Sequence, residues 1–334
     1  MDGTRLARKS GRMVNTPAVS IVMPLYNKAP EVLATIASVQ AQTVTDWELV
    51  VVDDGSTDRG PELVRGLEDP RVRVFSQSNA GVSAARNQGI ASAKAELIAF
   101  LDADDRWQPE FLGCVLALAR DYPEAQWFAT GYEIRRQGQA AFEARLLGVD
   151  KGFSRGLLGE YFLVAMQSDP PVWTSACVVR RDAIVGIGGF PLGISSGEDL
   201  LTWARLAVRF PLAYDARALA IFEVSGHERR PDPTEQVSRA LADLLDKSPG
   251  TPGLRAYLGQ WFRMQAVMAM RFSETVLARR SAWQAFRHGP VQWRNGYTLL
   301  LSWLPSALRQ AMDASLRRLA RRAPPAAPAG GDGT

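Results

Sequence analysis

LIAFLDADD, residues 97–105, runs from five apolar residues into three carboxylates within four positions. A short apolar run stopped by turn-forming acids reads as a buried strand. VSIVM (19–23), ELVVVD (48–53) and VRVF (72–75) have the same character. Helical stretches separate them. One opens at Pro30, with proline suited to a first turn, and carries Val32, Leu33, Ile36 and Val39 at helical spacing. Another runs from Val82 to Lys94. Such alternation implies an α/β fold, a mostly parallel sheet covered by helices. Ligands of these sheets sit beyond the carboxyl ends of the strands, so residues there have the first claim on function. Farther along, QWFATGYEI, SACVVR and ALAIFEV read as strands, and a helix is expected from Asp199 to Arg209.

Asp102, Asp104 and Asp105 repel one another unless a cation joins them. Mg²⁺ suits such a group, since it takes one or two carboxylates with phosphate oxygens and water. The small Ala103 lets a ligand approach. A solvated acidic turn capping the helix near Pro109 explains the same residues equally well. Asp53 and Asp54, in VVVDDGSTD, end a second strand, where turn and N-cap chemistry is again the plain alternative. Two acidic strand ends lining one crevice point further, to carboxylates that accept hydrogen bonds from a base and ribose. Pro24-Leu25-Tyr26-Asn27, after the first strand, adds an aromatic face for a base.

Composition narrows the class. The 334 residues are 46% apolar, with 28 Gly and 20 Pro scattered without repeat, which excludes disordered, collagenous and coiled-coil chains. Cys114 and Cys177 make no disulfide framework and read as small buried hydrophobes in a reducing compartment. Two histidines are too few for a histidine-rich metal cage. The basic stretch from Met1 to Pro17 lacks an apolar core, so a flexible tail is expected there and no secretory signal. No window approaches 18 apolar residues, and Tyr297–Leu304 is too short to cross a membrane.

PLYN (24–27), VVDDGSTD (51–58), NAGVSAARNQGI (79–90) and FLDADD (100–105) follow in order, then GIGGF (186–190) and GEDLLTWAR (197–205). Together they resemble the signature of glycosyltransferase family 2, inverting enzymes with the GT-A fold. The resemblance covers Val19 to His227, about two thirds of the chain. It implies a nucleotide-diphospho-sugar donor, UDP-linked in the first instance, and a divalent metal, Mg²⁺ or Mn²⁺. Asp104 would be the main metal ligand. Asp102 would stand near ribose and metal, and His227 would complete the metal site. Asp53 and Asp54 match nucleoside-binding acids, and Tyr26 matches the residue that packs on the base. Pro24, Asn27, Gly81, Arg86 and Ala103 fall on the donor side. Asp199 matches the general base, with Glu198 the alternative if the register slips by one. Processive relatives carry Gln-x-x-Arg-Trp. The only Arg-Trp pair here, Arg106-Trp107, lacks that glutamine, so one sugar per encounter is expected.

The chain's net charge of +4 hides an asymmetry. Residues 255–322 hold 12 Arg and no Lys against Glu274 and Asp313, a net +10, which leaves −6 for the rest. The expected organisation is therefore a tail (1–17), a catalytic domain (18–230), a basic amphipathic helical region (231–322) and a low-complexity end (323–334). Tryptophans interleaved with arginines suit an anionic membrane surface. The same residues could instead pack the region onto the catalytic domain. No nucleic-acid motif accompanies the charge. The implied setting is cytoplasmic, peripheral on the inner membrane face, with a glycan or glycolipid acceptor. Two rivals remain: a GT-A domain that binds nucleotide sugar or glycan without turnover, and a nucleotidyltransferase. The latter would open on a glycine-rich basic loop, which PLYNKAP does not match.

Overall fold

A computed structural model describes residues 16–136, 138–224, 235–289, 293–305 and 308. The chain divides into two compact units, Met1–Val237 and Ser238–Thr334. The domain boundary expected at 230/231, the expected tail (all but its last two residues), residues 309–322 of the expected helical region and the low-complexity end lie outside the described residues.

The first unit opens with β1 (Val19–Leu25), α1 (Val32–Gln40), β2 (Trp47–Asp53), α2 (Gly60–Arg65), β3 (Val72–Ser76), α3 (Val82–Ser92) and β4 (Leu97–Phe100). A second stretch adds β5 (Arg106–Trp107), α4 (Phe111–Asp121), β6 (Trp127–Arg136), β7 (Phe142–Glu143), β8 (Arg155–Leu158) and α5 (Tyr161–Gln167). A 3₁₀ turn (Thr174–Ala176) then leads into β9 (Cys177–Arg180), α6 (Arg181–Gly186), α7 (Glu198–Arg209) and β10 (Leu212–Val224). The strand order is β3-β2-β1-β4-β9-β6-β10-β5, with β7 on β6 and β8 on β10. β1 to β4 are mutually parallel, and β6 is parallel to β10. β9 runs against both β4 and β6 in the middle of the sheet.

Every residue of β2 is buried, as a central strand covered on both faces requires. Val32, Ile36 and Val39 turn inward from α1, whereas Leu33, at the same spacing, is exposed. Cys114 and Cys177 are free and buried. Burial pushes the Cys114 thiol up to about 12, so neither cysteine is a ready nucleophile.

Register places the chemistry. Leu25 pairs with Asp53, and Val22 with Phe100, so PLYN, the Asp53-Asp54 pair and the DADD loop leave the sheet at one edge. Ala99 pairs with Val178 of antiparallel β9, which brings the turn before β9 to that edge as well. Helix α3 lies close on β1 because residue 89 is glycine: a Cβ there would meet Val22 Cγ1 at 2.3 Å. Gly89→Ala is expected to cost about 1–3 kcal/mol by overpacking, read from the urea midpoint at unchanged m-value.

The second unit contains most of α8 (Glu235–Lys247), together with α9 (Leu254–Arg271), α10 (Thr275–His288) and α11 (Trp293–Trp303). Among the described residues no helix is long and apolar enough to cross a membrane.

Candidate active site

The shared edge opens into a cavity of about 780 Å³. Pro24, Tyr26, Lys28, Asp54 and Gly81 line one side, and Asp102 to Asp105 its floor. Trp173, Ile194, Ser195 and Phe222–Val224 form the opposite wall. Tyr26 is 41% exposed, a ring surface open to a flat ligand.

Several expected donor residues are structural ties. Asn27, at φ 52°, accepts hydrogen bonds from Thr57 N (2.8 Å) and Asp58 N (3.3 Å) and does not line the cavity. Asp53 is buried, accepts from Ser56 N at 2.9 Å and also stays off the lining. Asp54 reaches the cavity, but its carboxylate accepts from Gln77 Nε2, Ala80 N and Gly81 N at 2.8–2.9 Å. It thereby fixes the start of α3, where Gly81 takes the positive φ of 90° that spares a side chain's strain.

The acid loop is held from several sides. Thr35 Oγ1 donates to Ala103 O at 2.9 Å, and Asp102 N donates to Ser175 Oγ at 3.1 Å. Asp104 Oδ2 accepts from Lys28 Nζ at 2.5 Å. Asp105 is buried and accepts from Ser175 Oγ (2.6 Å), Trp173 Nε1 (2.8 Å) and Glu223 N (3.2 Å). It therefore pins the acid loop to the opposite wall. Burial, then the Asp102 and Asp104 charges, push its carboxyl well above the usual range.

Arg86 does not line the cavity. Its side chain is 4% exposed, and its guanidinium donates to Asp102 Oδ1 at 2.8 Å and Glu198 Oε1 at 3.1 Å. Phe190 lies against it, 5.1 Å from ring centroid to Cζ. Burial works against its charge, but the two carboxylates outweigh that and raise its pKa. The arginine thus joins the acid loop to the start of α7, whose N-cap Gly197 sits at φ 82°.

Beside Glu198, Asp199 Oδ1 accepts from Leu200 N at 2.7 Å, and Oδ2 faces Thr174 Oγ1 at 3.4 Å. Burial and the Glu198 charge raise its pKa to about 6, against the lowering pull of Arg86. Asp199 does not itself line the cavity, and its raised pKa is the property that suits it to take a proton near neutral pH. Glu198, locked to Arg86, is the poorer candidate.

His227 lies outside the described residues. Among those described, no group of three or more His, Cys, Asp and Glu forms a metal cage. The pair Asp102 and Asp104 nevertheless fits a hard divalent ion. Both carboxylates line the cavity, Asp104 already draws the Lys28 ammonium, and their negative charge raises Asp105. The sequence assigns no role to Lys28 or Trp173, and places Asp105 only among the three acids that a cation would join. Lys28 was visible as the cation inside PLYNKAP, whereas nothing in PPVWTSAC marks Trp173.

Residues 20–185 match the family profile "Glycosyl transferase family 2". The uncharacterized protein y4gI of Sinorhizobium fredii is 41% identical over 74% of this chain and 27% of its own length. The chain spans about a third or less of the length of y4gI and several other curated relatives, 27% to 34%. Among solved structures, S. aureus TarS 1–349 in complex with UDP-GlcNAc superposes with a TM-score of 0.67 at 14% identity, covering 89% of this chain and 92% of that one. The mannosyltransferase PcManGT from Pyrobaculum calidifontis, in complex with GDP-Man and Mn²⁺, gives 0.58 at 17% identity, covering 91% and 81%. These likenesses show the shared GT-A fold.

Proposed function

This chain belongs to glycosyltransferase family 2, and from that premise we propose that it transfers one sugar, with inversion, from a nucleotide-diphospho-sugar to an acceptor hydroxyl. One observation carries the reading. Arg86 ties Asp102, an acid of the cavity floor, to Glu198, so that Asp199 follows directly as a carboxyl of raised pKa beside the donor acids.

Tyr26 offers its ring to the base, and the walls around Asp54 and Gly81 take the nucleoside. Asp102 and Asp104, with His227 as the proposed third ligand, would hold Mg²⁺ or Mn²⁺, which when bound stabilises charge on the leaving diphosphate. The acceptor hydroxyl attacks the anomeric carbon from the face opposite that diphosphate. As the new C–O bond forms, the C–O bond to phosphate breaks and Asp199 takes the hydroxyl proton. Nucleoside diphosphate departs, and no covalent enzyme intermediate is needed.

A UDP-sugar is the first donor to test. The complexes of TarS with UDP-GlcNAc and of PcManGT with GDP-Man and Mn²⁺ support the donor class and the metal. The acceptor is a lipid-linked or surface glycan, met at the cytoplasmic face of a membrane where nucleotide sugars are available.

A panel of nucleotide sugars, each with Mn²⁺ or with EDTA, tests this by thermal shift. At a hundredfold excess over Kd one donor should stabilise by about 2.7 kcal/mol, a rise of several degrees, and only with the metal. Asp104→Ala should abolish the metal-dependent part. A shift that persists unchanged in EDTA or in Asp104→Ala would overturn the metal assignment.

A further inference from the structure

Helices α10 and α11 are packed with their chemistry inverted, whereas α9 buries Leu254, Tyr257, Leu258 and Trp261 in the ordinary way. In α10 the buried positions are Ala278, Ser281, Ala282 and Ala285, and in α11 they are Asn295, Thr298 and Ser302. Ser281 Oγ and Ser238 Oγ both donate to the buried Gln265 Oε1 of α9, at 2.9 and 3.2 Å. At Gly259 of α9 the backbones come so close that a Cβ would lie 2.2 Å from Gly289 Cα.

The large apolar side chains face outward instead. Trp283 is 54% exposed, Trp293 75% and Trp303 63%, with Val276, Phe286 and Leu300 exposed beside them. At 100° per residue, Val276 and Trp283 fall on the side of α10 opposite its buried alanines, Arg280 and Arg287 share that side, and Phe286 lies at its flank. Trp283 and Phe286 stack at 6.0 Å, and Arg279 lies 4.4 Å over Trp303, joining α10 to α11. In water an exposed aromatic face of this kind is costly, and it marks a surface that something covers.

The charge names the occupant. Glu274 and Asp313 are the only acids of residues 255–322, against 12 arginines. Arginine with outward tryptophan matches an interface of acyl chains beneath anionic headgroups. A basic protein partner or a cation has no complement there. We infer that α10 and α11 seat their aromatic face in the headgroup region of an anionic bilayer, as a peripheral contact. This deepens the membrane-side reading above and rests on it for the choice of leaflet, while the contact itself needs no turnover.

The test is co-sedimentation of the full chain with vesicles of phosphatidylcholine alone and of phosphatidylcholine mixed with phosphatidylglycerol, at low and high salt. Binding is expected only to the anionic vesicles, weakened by salt, with a blue shift of tryptophan emission. Trp283→Ala with Trp293→Ala should weaken it about tenfold or more, and Arg287→Gln with Arg294→Gln by a similar factor. All of these side chains are exposed, so circular dichroism and Tm should stay at wild-type values. Asp199→Asn should bind vesicles like wild type, which separates this inference from the transfer reaction. Absence of binding to anionic vesicles at low salt would overturn it. So would full binding by the tryptophan variant, or a concentration-dependent dimer that the tryptophan variant loses, since a second copy would then cover the face.

Discussion

Asp199→Asn should lower kcat by about 10³-fold while leaving donor affinity within a factor of two or three. Asparagine keeps the shape and can still accept from Leu200 N, now 2.7 Å from Asp199 Oδ1, but it cannot take a proton. As the proposed base, Asp199 would be active as the ionised carboxylate. With the pKa raised to about 6, activity should fall tenfold per pH unit below that value, whereas an unperturbed aspartate would hold activity to near pH 4. Glu198→Gln should keep turnover but move this limb to lower pH, because the Glu198 charge is one of the causes that raise the Asp199 pKa. If the pH profile of kcat/KM is flat to pH 4.5, or Asp199→Asn turns over normally, Asp199 is not the base.

The same shift carries a stability consequence of opposite sign. Asp199 binds its proton more tightly folded than unfolded, so its contribution is greatest below the unfolded pKa of 3.8. That contribution is lost as pH rises through about 6, and above it the ionised group costs stability. Asp199→Asn should therefore raise Tm at pH 7.5 as it abolishes turnover, and that gain should vanish at pH 4. A reactive group held at a cost in stability is a common trade-off of active sites.

Much of this site could be read from residues, and the parts that could not share one physical cause. Strands β1, β2 and β4 stand out because a buried parallel strand is mostly apolar, and Asp53 and Asp102 stop the runs of β2 and β4 at their carboxyl ends. What a side chain does there depends on partners far away in sequence. Asn27, Asp53 and Arg86 all look like ligand-facing groups in their motifs, yet their partners are the 56–58 turn, Ser56, and the pair Asp102 and Glu198. Asp105 reads from sequence as one more acid of the cation-binding cluster, because Trp173, Ser175 and Glu223 reach it only through antiparallel β9 and the end of β10. The direction of β9 has no local signature. In the second unit, helical spacing marks amphipathic helices but does not say which face turns inward. Periodicity is the same whether the tryptophans or the alanines are buried.

Arg86→Met should be the most damaging single change to the fold at this site. It leaves Asp102 and Glu198 without their shared cation in a buried setting, a loss of about 3–5 kcal/mol when one partner of a buried ion pair is removed. Lysine should restore little, since its one nitrogen cannot occupy both positions from which Nη1 and Nη2 reach carboxylates on different elements. Adding Glu198→Gln to Arg86→Met should recover part of the loss, because it removes one of the two orphaned charges. A purely structural arginine would predict nothing further, but this one also faces the base. Its charge holds the Asp199 pKa down against burial and Glu198, so removing it should move the acid limb of kcat/KM upward from about 6. The Arg86→Lys enzyme, keeping a positive charge in place, should retain a limb closer to wild type even where its Tm has fallen. A limb that stays fixed in Arg86→Met would show that the arginine holds the loops together without setting the proton affinity of Asp199.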